Sequence, residues 1–227
     1  METCAAAAGG VVVIDVWRSF TTAAYAFAAG AQEILIAGSA DEAFAMQTRF
    51  PAALLMGLGR LGGEPAAGFA FGNSPAEVRA SDLRGRRLIQ CTPNGTPGLV
   101  RSAGARNLLA GSLVCAGATV RRLRRLASDQ VYFVCTEKGI ADHACAEYMA
   151  GLLRVEKRDP AVMLASIRQD WEEHARVMLE RGALTAAQKD RLEADLNCCL
   201  ALDWFDYGME VHRRDGLLVM EPAGGAG

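Results

Sequence analysis

Six times before residue 155 the chain sets a short apolar segment against a longer amphipathic one, and that alternation leaves few folds open. Aliphatic and β-branched runs predict strands over Val11–Val16, Glu33–Ala37, Ala53–Met56, Arg87–Thr92, Asn107–Ala110 and Val131–Cys135. Helical periodicity predicts helices over Thr22–Ala29, Ala40–Arg49, Thr96–Ser102, Leu113–Leu126 and Ala141–Arg154. Ser39-Ala-Asp-Glu42 is a capping box for the second of these, and Ser74-Pro75-Ala-Glu77 opens a further short helix with proline at its first position. A strand followed by a helix and then another strand needs a crossover, which favours a largely parallel sheet with helices on both faces.

After Pro160 the pattern changes. Helices are predicted over Ala161–Arg181 and Ala186–Leu200, the second opened by Thr185-Ala-Ala-Gln188. Tyr207–His212 and Leu217–Met220, around Asp215-Gly216, then predict a β-hairpin. No long linker sets this tail apart, so residues 1–227 read as one domain with a C-terminal embellishment.

Composition excludes several classes of function. A net charge of −2 argues against a general nucleic-acid binder, and Arg121-Arg-Leu-Arg-Arg125 falls late in a helix, where it complements the dipole and faces solvent. No apolar run reaches the roughly 20 residues that a membrane span needs. Ala5–Ala8 lacks a basic segment before it, so no signal peptide is expected. Seven cysteines without C-x-x-C spacing read as reduced thiols of a cytoplasmic protein, not as a zinc site or a disulfide framework.

The polar residues fall where the predicted strands end. Asp15 and Arg18 follow the first strand, Gly62-Gly-Glu64 the third, Thr92-Pro-Asn94-Gly95-Thr96 the fourth, and Gly111-Ser112 the fifth. Thr136-Glu-Lys-Gly139 follows the sixth, with Asp142 just beyond. In an open parallel sheet these loops share the carboxyl rim, where ligands bind. Asp15 and Arg18 stand at the end of an apolar strand, where unpaired charge is costly; they are either reaction-site groups or a salt bridge with a helix cap. Asp15, Glu64 and Asp142 are hard oxygen donors suited to Mg²⁺. Arg18, Ser19, Thr21, Asn94, Thr96 and Ser112 are donors for phosphate or another anion. Together they point to metal-assisted attack on an anionic ester. No P-loop lysine, G-x-S-x-G elbow or H-E-x-x-H motif is present, and His143, His174 and His212 are too scattered for a triad.

These residues resemble the 2-phosphosulfolactate phosphatase family, Mg²⁺-dependent acid phosphatases of coenzyme M biosynthesis. The resemblance rests on Asp15-Val-Trp-Arg-Ser-Phe-Thr-Thr22, Gly63-Glu64, Gly68-Phe-Ala-Phe-Gly-Asn-Ser-Pro75, Thr92-Pro-Asn-Gly-Thr96, Gly111-Ser112 and Asp142-His-Ala-Cys-Ala-Glu-Tyr148, in that order. It implies an α/β/α sandwich that hydrolyses the phosphate ester of a small 2-hydroxy acid with Mg²⁺, and it is consistent with a homodimer. On this reading Asp15 and Glu64 anchor the metal with Asp142, and Arg18, Asn94, Thr96 and Ser112 hold phosphate beside Gly95. Asn73 and Ser74 close the site or contact the acid tail. Pro65 and Ala141 stand where the family tends to carry an arginine and a glutamate. A non-catalytic anion-binding protein that keeps the fold is therefore the alternative.

Overall fold

The computed structural model describes residues 9–137, 139–156 and 159–224; Cys4, residues 5–8 and Lys138 lie outside them. β1 (Gly10–Ile14) is buried along its whole length between two parallel neighbours, β5 (Asn107–Gly111) and β6 (Val131–Cys135). Both of its faces meet apolar layers, which accounts for a run of β-branched residues with no polar alternation. Val11 and Val13 point into one core with α1 (Ser19–Ala28), whereas Val12 and Ile14 point into another with α5 (Ala116–Arg125) and α6 (Ile140–Leu153).

A second parallel block consists of β2 (Glu33–Ile36), β4 (Arg87–Gln90) and β3 (Leu54–Met56). Its outer face is covered by α2 (Ala40–Arg49), through Ala43 and Met46. Ser39 caps α2 by accepting the Glu42 N–H, and Ser74 caps α3 (Pro75–Arg79) by accepting the Glu77 N–H. α4 (Gly95–Arg101) follows β4, and a single turn over Leu113–Cys115 precedes α5. The structure is a three-layer α/β/α sandwich. Each strand and helix lies within about three residues of its expected bounds, except that the predicted Leu113–Leu126 helix is split into that 3₁₀ turn and α5.

One expectation is overturned. The hairpin β7 (Gly208–Arg214) and β8 (Leu217–Ala223) is not an embellishment but the middle of the sheet, whose order is β3-β4-β2-β8-β7-β5-β1-β6. β8 pairs antiparallel with β2, and β7 pairs antiparallel with β5, so the hairpin joins the two parallel blocks. Three antiparallel steps in succession mean that the blocks run in opposite senses. Strand twist adds about 100–125° over the five steps from β1 to β4 and turns those opposed blocks toward each other. α1 fills the space between them, and its Phe20, Ala23 and Phe27 are packed in a core shared with Ile34, Leu88 and Met220.

The two last helices, α7 (Pro160–Glu180) and α8 (Ala186–Cys199), pair through Trp171, Ala175, Leu192 and Leu196. Thr185 and Gln188 form the expected capping box at the start of α8. The arginines of α5 are tied to neighbours on its surface: Arg121 to Asp206, Arg122 to Glu210 at 2.8 Å, and Arg124 to the Leu152 carbonyl at 2.7 Å. No helix among the described residues is long and apolar enough to cross a membrane.

Candidate active site

β1 hands over to α1 through Asp15, Val16, Trp17 and Arg18. The Asp15 N–H donates to the Gly111 carbonyl, 3.2 Å, so the ladder with β5 runs one residue past the strand. Asp15 Oδ1 then accepts the Ser19 N–H at 2.9 Å, and the Asp15 carbonyl accepts the Phe20 N–H at 3.1 Å. Asp15 therefore caps the entry of α1, but it is not the ion partner of Arg18. That partner is Asp195 on α8, with Arg18 Nη1 2.6 Å from Asp195 Oδ2.

Asp15, Arg18, Asn73, Asn94 and Glu137 line one cavity of about 230 Å³, with Gly57 and Thr92 at its wall. Loops from both parallel blocks meet here. Ser19 and Thr92 share a hydrogen bond of 2.8 Å between hydroxyls, Gln90 Nε2 donates to the Ser19 carbonyl at 2.8 Å, and Asn94 Nδ2 donates to Glu137 Oε1 at 2.9 Å. The expected convergence of strand-end loops therefore holds, although the sheet that produces it is mixed. Asn73 Oδ1 and Gln90 Oε1 are buried acceptors with no protein partner.

Gly95 stands against the acid itself. A Cβ there would lie 2.5 Å from Ser19 Oγ and 2.8 Å from Asp15 Oδ2, closer than any side-chain carbon can sit. Gly95→Ala should displace both groups and cost about 100-fold in kcat/KM, the scale of an ångström-sized misplacement at a reacting centre. Steady-state kinetics beside a thermal melt checks this; an unchanged rate with a lowered Tm would show that the contact serves only packing.

Several expected site residues have other engagements. Thr21 and Ser112, expected among the phosphate donors, are fully buried and share a hydrogen bond of 2.5 Å, while Thr21 Oγ1 also donates to the Val16 carbonyl. Thr96 is tied to Thr92: the Thr92 N–H donates to Thr96 Oγ1 at 3.0 Å, and the Thr96 N–H to Thr92 Oγ1 at 3.2 Å. These bonds fix the loop that carries Asn94. Asp142, expected among the metal donors, accepts the Val16 N–H on Oδ1 (2.8 Å) and the N–H groups of Thr136 and Glu137 on Oδ2 (3.0 and 3.1 Å). It thereby clamps the loops after β1 and β6 together.

Glu64 lies in an adjoining cavity of about 470 Å³ that shares Arg18 and Asn73 with the first and also holds Ser74. Ser74 Oγ donates to Asp195 Oδ1 at 2.6 Å, and the Ala76 N–H donates to the same oxygen at 3.2 Å. Asp195 is the site residue that sequence reasoning missed, and Glu137, which it placed at the rim, was given no role there. Asp195 had a signal: with Leu192, Leu196 and Cys199 at helical spacing it falls on the apolar face of its helix, where an acid needs a partner. Glu137 stands two residues past the end of β6, close to where Asp15 stands after the neighbouring β1.

The electrostatics single out Asp15. Burial, then the nearby charges of Asp142 and Glu137, push its carboxyl up to about 8 despite the Ser19 N–H that favours the anion. Burial raises Asp142 to about 6 against the three N–H groups that hold it. No set of three His, Cys, Asp or Glu residues among the described ones is spaced to enclose a metal. Mg²⁺ needs less, since one or two carboxylates with water and substrate oxygens suffice. Asp15 and Glu137, with the Asn94 amide on the same cavity, fit that requirement. The thiols do not offer an alternative nucleophile: burial pushes Cys135 up to about 11 and Cys145 well above its ordinary value.

The sequence profile described as 2-phosphosulpholactate phosphatase matches residues 2–213. A protein of Carboxydothermus hydrogenoformans named a probable 2-phosphosulfolactate phosphatase is 35% identical over 220 residues, covering 93% of this chain and 90% of the relative. A protein of Bacillus subtilis with the same name is 37% identical over 145 residues, 63% of each chain. One of Synechocystis, again so named, is 31% identical over 207 residues, 86% of each.

Proposed function

Because the chain belongs to the 2-phosphosulpholactate phosphatase family, we propose that it hydrolyses the phosphate monoester of a small anionic 2-hydroxy acid, 2-phosphosulfolactate, to the free acid and phosphate, with Mg²⁺ as cofactor. The observation that carries this reading is the cavity where a buried acid, a buried arginine, two carboxamides and a second acid face one another. Arg18 spends one amino group on Asp195 and keeps the rest of its guanidinium for the phosphoryl oxygens. The Asn94 amide, positioned by Glu137, and the Asn73 amide at the cavity wall supply neutral contacts that orient the ester. Asp15 and Glu137 would hold Mg²⁺. When bound there, that ion would offset the charge of the phosphoryl oxygens and lower the pKa of a bound water.

This placement moves the metal from the pair Asp15 and Glu64 to Asp15 and Glu137. Glu64 is largely exposed and weakly paired with Arg191 at 3.4 Å, one cavity away from Glu137. The remaining groups have fixed tasks. Asp142 holds the two metal-bearing loops in register, and Ser19, Thr92 and Thr96 hold the floor of the cavity.

Purified protein should release phosphate from 2-phosphosulfolactate, lose that activity in EDTA and regain it with Mg²⁺. Phosphate release that is indifferent to EDTA would remove the metal from this reading. Phosphate binding without turnover of any ester in a panel would favour the non-catalytic anion-binding alternative, for which Pro65 and Ala141 are the sequence argument.

A further inference from the structure

The catalytic cavity has two flanks, and they differ in charge. One flank is a cavity of about 290 Å³ that shares Trp17 and Glu137 with the site and is lined by Trp171, Asp142, Asp170 and His174. Among the described residues no arginine or lysine lines it, and three acids do: Glu137, Asp142 and Asp170. The other flank is the 470 Å³ cavity that shares Arg18 and Asn73 with the site, and Arg60 and Arg191 face into it.

The two arginines are brought there from opposite walls. Arg60 belongs to the tight loop after β3, in which the Arg60 N–H donates to the Glu64 carbonyl and the Gly63 N–H to the Arg60 carbonyl, both 3.0 Å. A Cβ on Gly63 would lie 2.8 Å from Arg60 Cβ, so glycine at that position leaves room for the arginine stem. Arg191 comes from α8, and the loop is pinned to that helix by Gln188 Nε2 donating to the Leu61 carbonyl at 3.2 Å. Gly62, at φ +62°, lets the loop backbone approach the Gln188 carbonyl where a side chain would collide.

This flank carries three acids of its own, Asp195, Glu64 and Glu77, and they do not cancel the arginines: among the described residues Glu77 forms no ion pair with Arg60 or Arg191. Asp195 spends Oδ2 on Arg18 and Oδ1 on Ser74 and Ala76. Glu64 holds Arg191 only at 3.4 Å and is more than four-fifths exposed, so an incoming anion can take its place on Arg191. Arg60 has no carboxylate paired with it among the described residues. Arg18 marks the phosphate end of the flank and these two arginines its outer end.

We infer that Arg60 and Arg191 form the subsite for the second anionic group of the substrate, the sulfonate or carboxylate of the acid tail, and so determine specificity. This rests on the phosphatase reading above. The chain then selects phosphate esters that carry a further negative charge, and it does so by two monodentate or bidentate arginine contacts made outside the reacting centre.

The test compares wild type with Arg60→Met, Arg191→Met and Arg191→Lys on three esters: 2-phosphosulfolactate, 2-phospholactate and phenyl phosphate. The ratio of kcat/KM for phosphosulfolactate to that for phenyl phosphate should fall about tenfold in either Met variant and about 100-fold in the double variant. The loss should lie in KM, and Arg191→Lys should recover part of it. Phospholactate separates the two anions, since it lacks the sulfonate. Calorimetric binding of sulfolactate should weaken in the same proportion while binding of inorganic phosphate does not. Equal losses on all three esters, or no change in the ratio, would overturn the assignment. If wild type hydrolyses none of them, the phosphatase reading fails instead, and the arginine dependence of sulfolactate binding still decides the subsite.

Discussion

Asp15→Asn should abolish turnover, by on the order of 10³-fold, and at the same time make the metal-free protein more stable. The two effects have one origin. The Asp15 carboxyl is raised from 3.8 to about 8 by burial and by its acidic neighbours, so the fold disfavours its ionised form. A group raised in the folded state contributes stability that is fully present below its unfolded pKa and is lost as pH rises through the folded one. The wild-type protein without metal should therefore lose stability between about pH 4 and pH 8, by at most about 6 kcal/mol. Asparagine keeps an oxygen for the Ser19 N–H but has nothing to ionise, so the variant lacks that part of the slope. Melts at pH 5 and pH 8 read the effect: the stabilisation by Asp15→Asn should be larger at pH 8. Added Mg²⁺ should raise the Tm of wild type more than that of the variant. A variant less stable than wild type at both pH values would mean that the carboxylate serves the fold.

Asp195→Ala should be the most damaging single change outside the catalytic cavity. It leaves Arg18 buried without its counter-ion and removes the acceptor for Ser74 Oγ and the Ala76 N–H together. Breaking a buried pair from one side costs about 3–5 kcal/mol, a large part of the stability of an ordinary domain. Activity should fall further than stability explains, since Arg18 loses the contact that aims it. Asp195→Asn should restore most of the fold, because the amide oxygen still serves Ser74 and Ala76, but only part of the rate. Denaturant melts and kinetics on the three proteins separate these terms; full activity in Asp195→Ala would show that Arg18 needs no positioning.

The elements of this fold could be read from the chain because their causes are local. Val11 to Ile14 are β-branched throughout, Ser39 and Ser74 stand three residues before glutamates, and Gly30 at φ +100° follows the α1 helix. The strand order was not legible, because pairing of β8 with β2 and β7 with β5 joins segments about 100 residues or more apart without any local mark. Within the site, Asp15 and Arg18 were found from the cost of placing charge at an apolar strand end, and Asn94 from its place in the loop after the fourth strand. The tasks of the others depend on contacts that periodicity does not encode. Asp142 sits six residues from Thr136 and 126 from Val16, and only the folded chain shows it clamping both. Thr21 and Ser112 looked like donors for a ligand until each proved to be the other's partner.

The hairpin in the middle of the sheet also sets the order in which the chain can become whole. Each parallel block can assemble from segments that leave the ribosome early, β1 with β5 and β6, and β2 with β3 and β4. Neither can join the other by its ladder until residues 208–223 have been synthesised, since the strand ladder between the blocks runs through β7 and β8. A nascent chain halted before that point carries two open strand edges, β2 and β5, of the kind that recruit other chains. Its contact order rises at the last step, which makes closure of the sheet the slow, aggregation-exposed stage of its biogenesis.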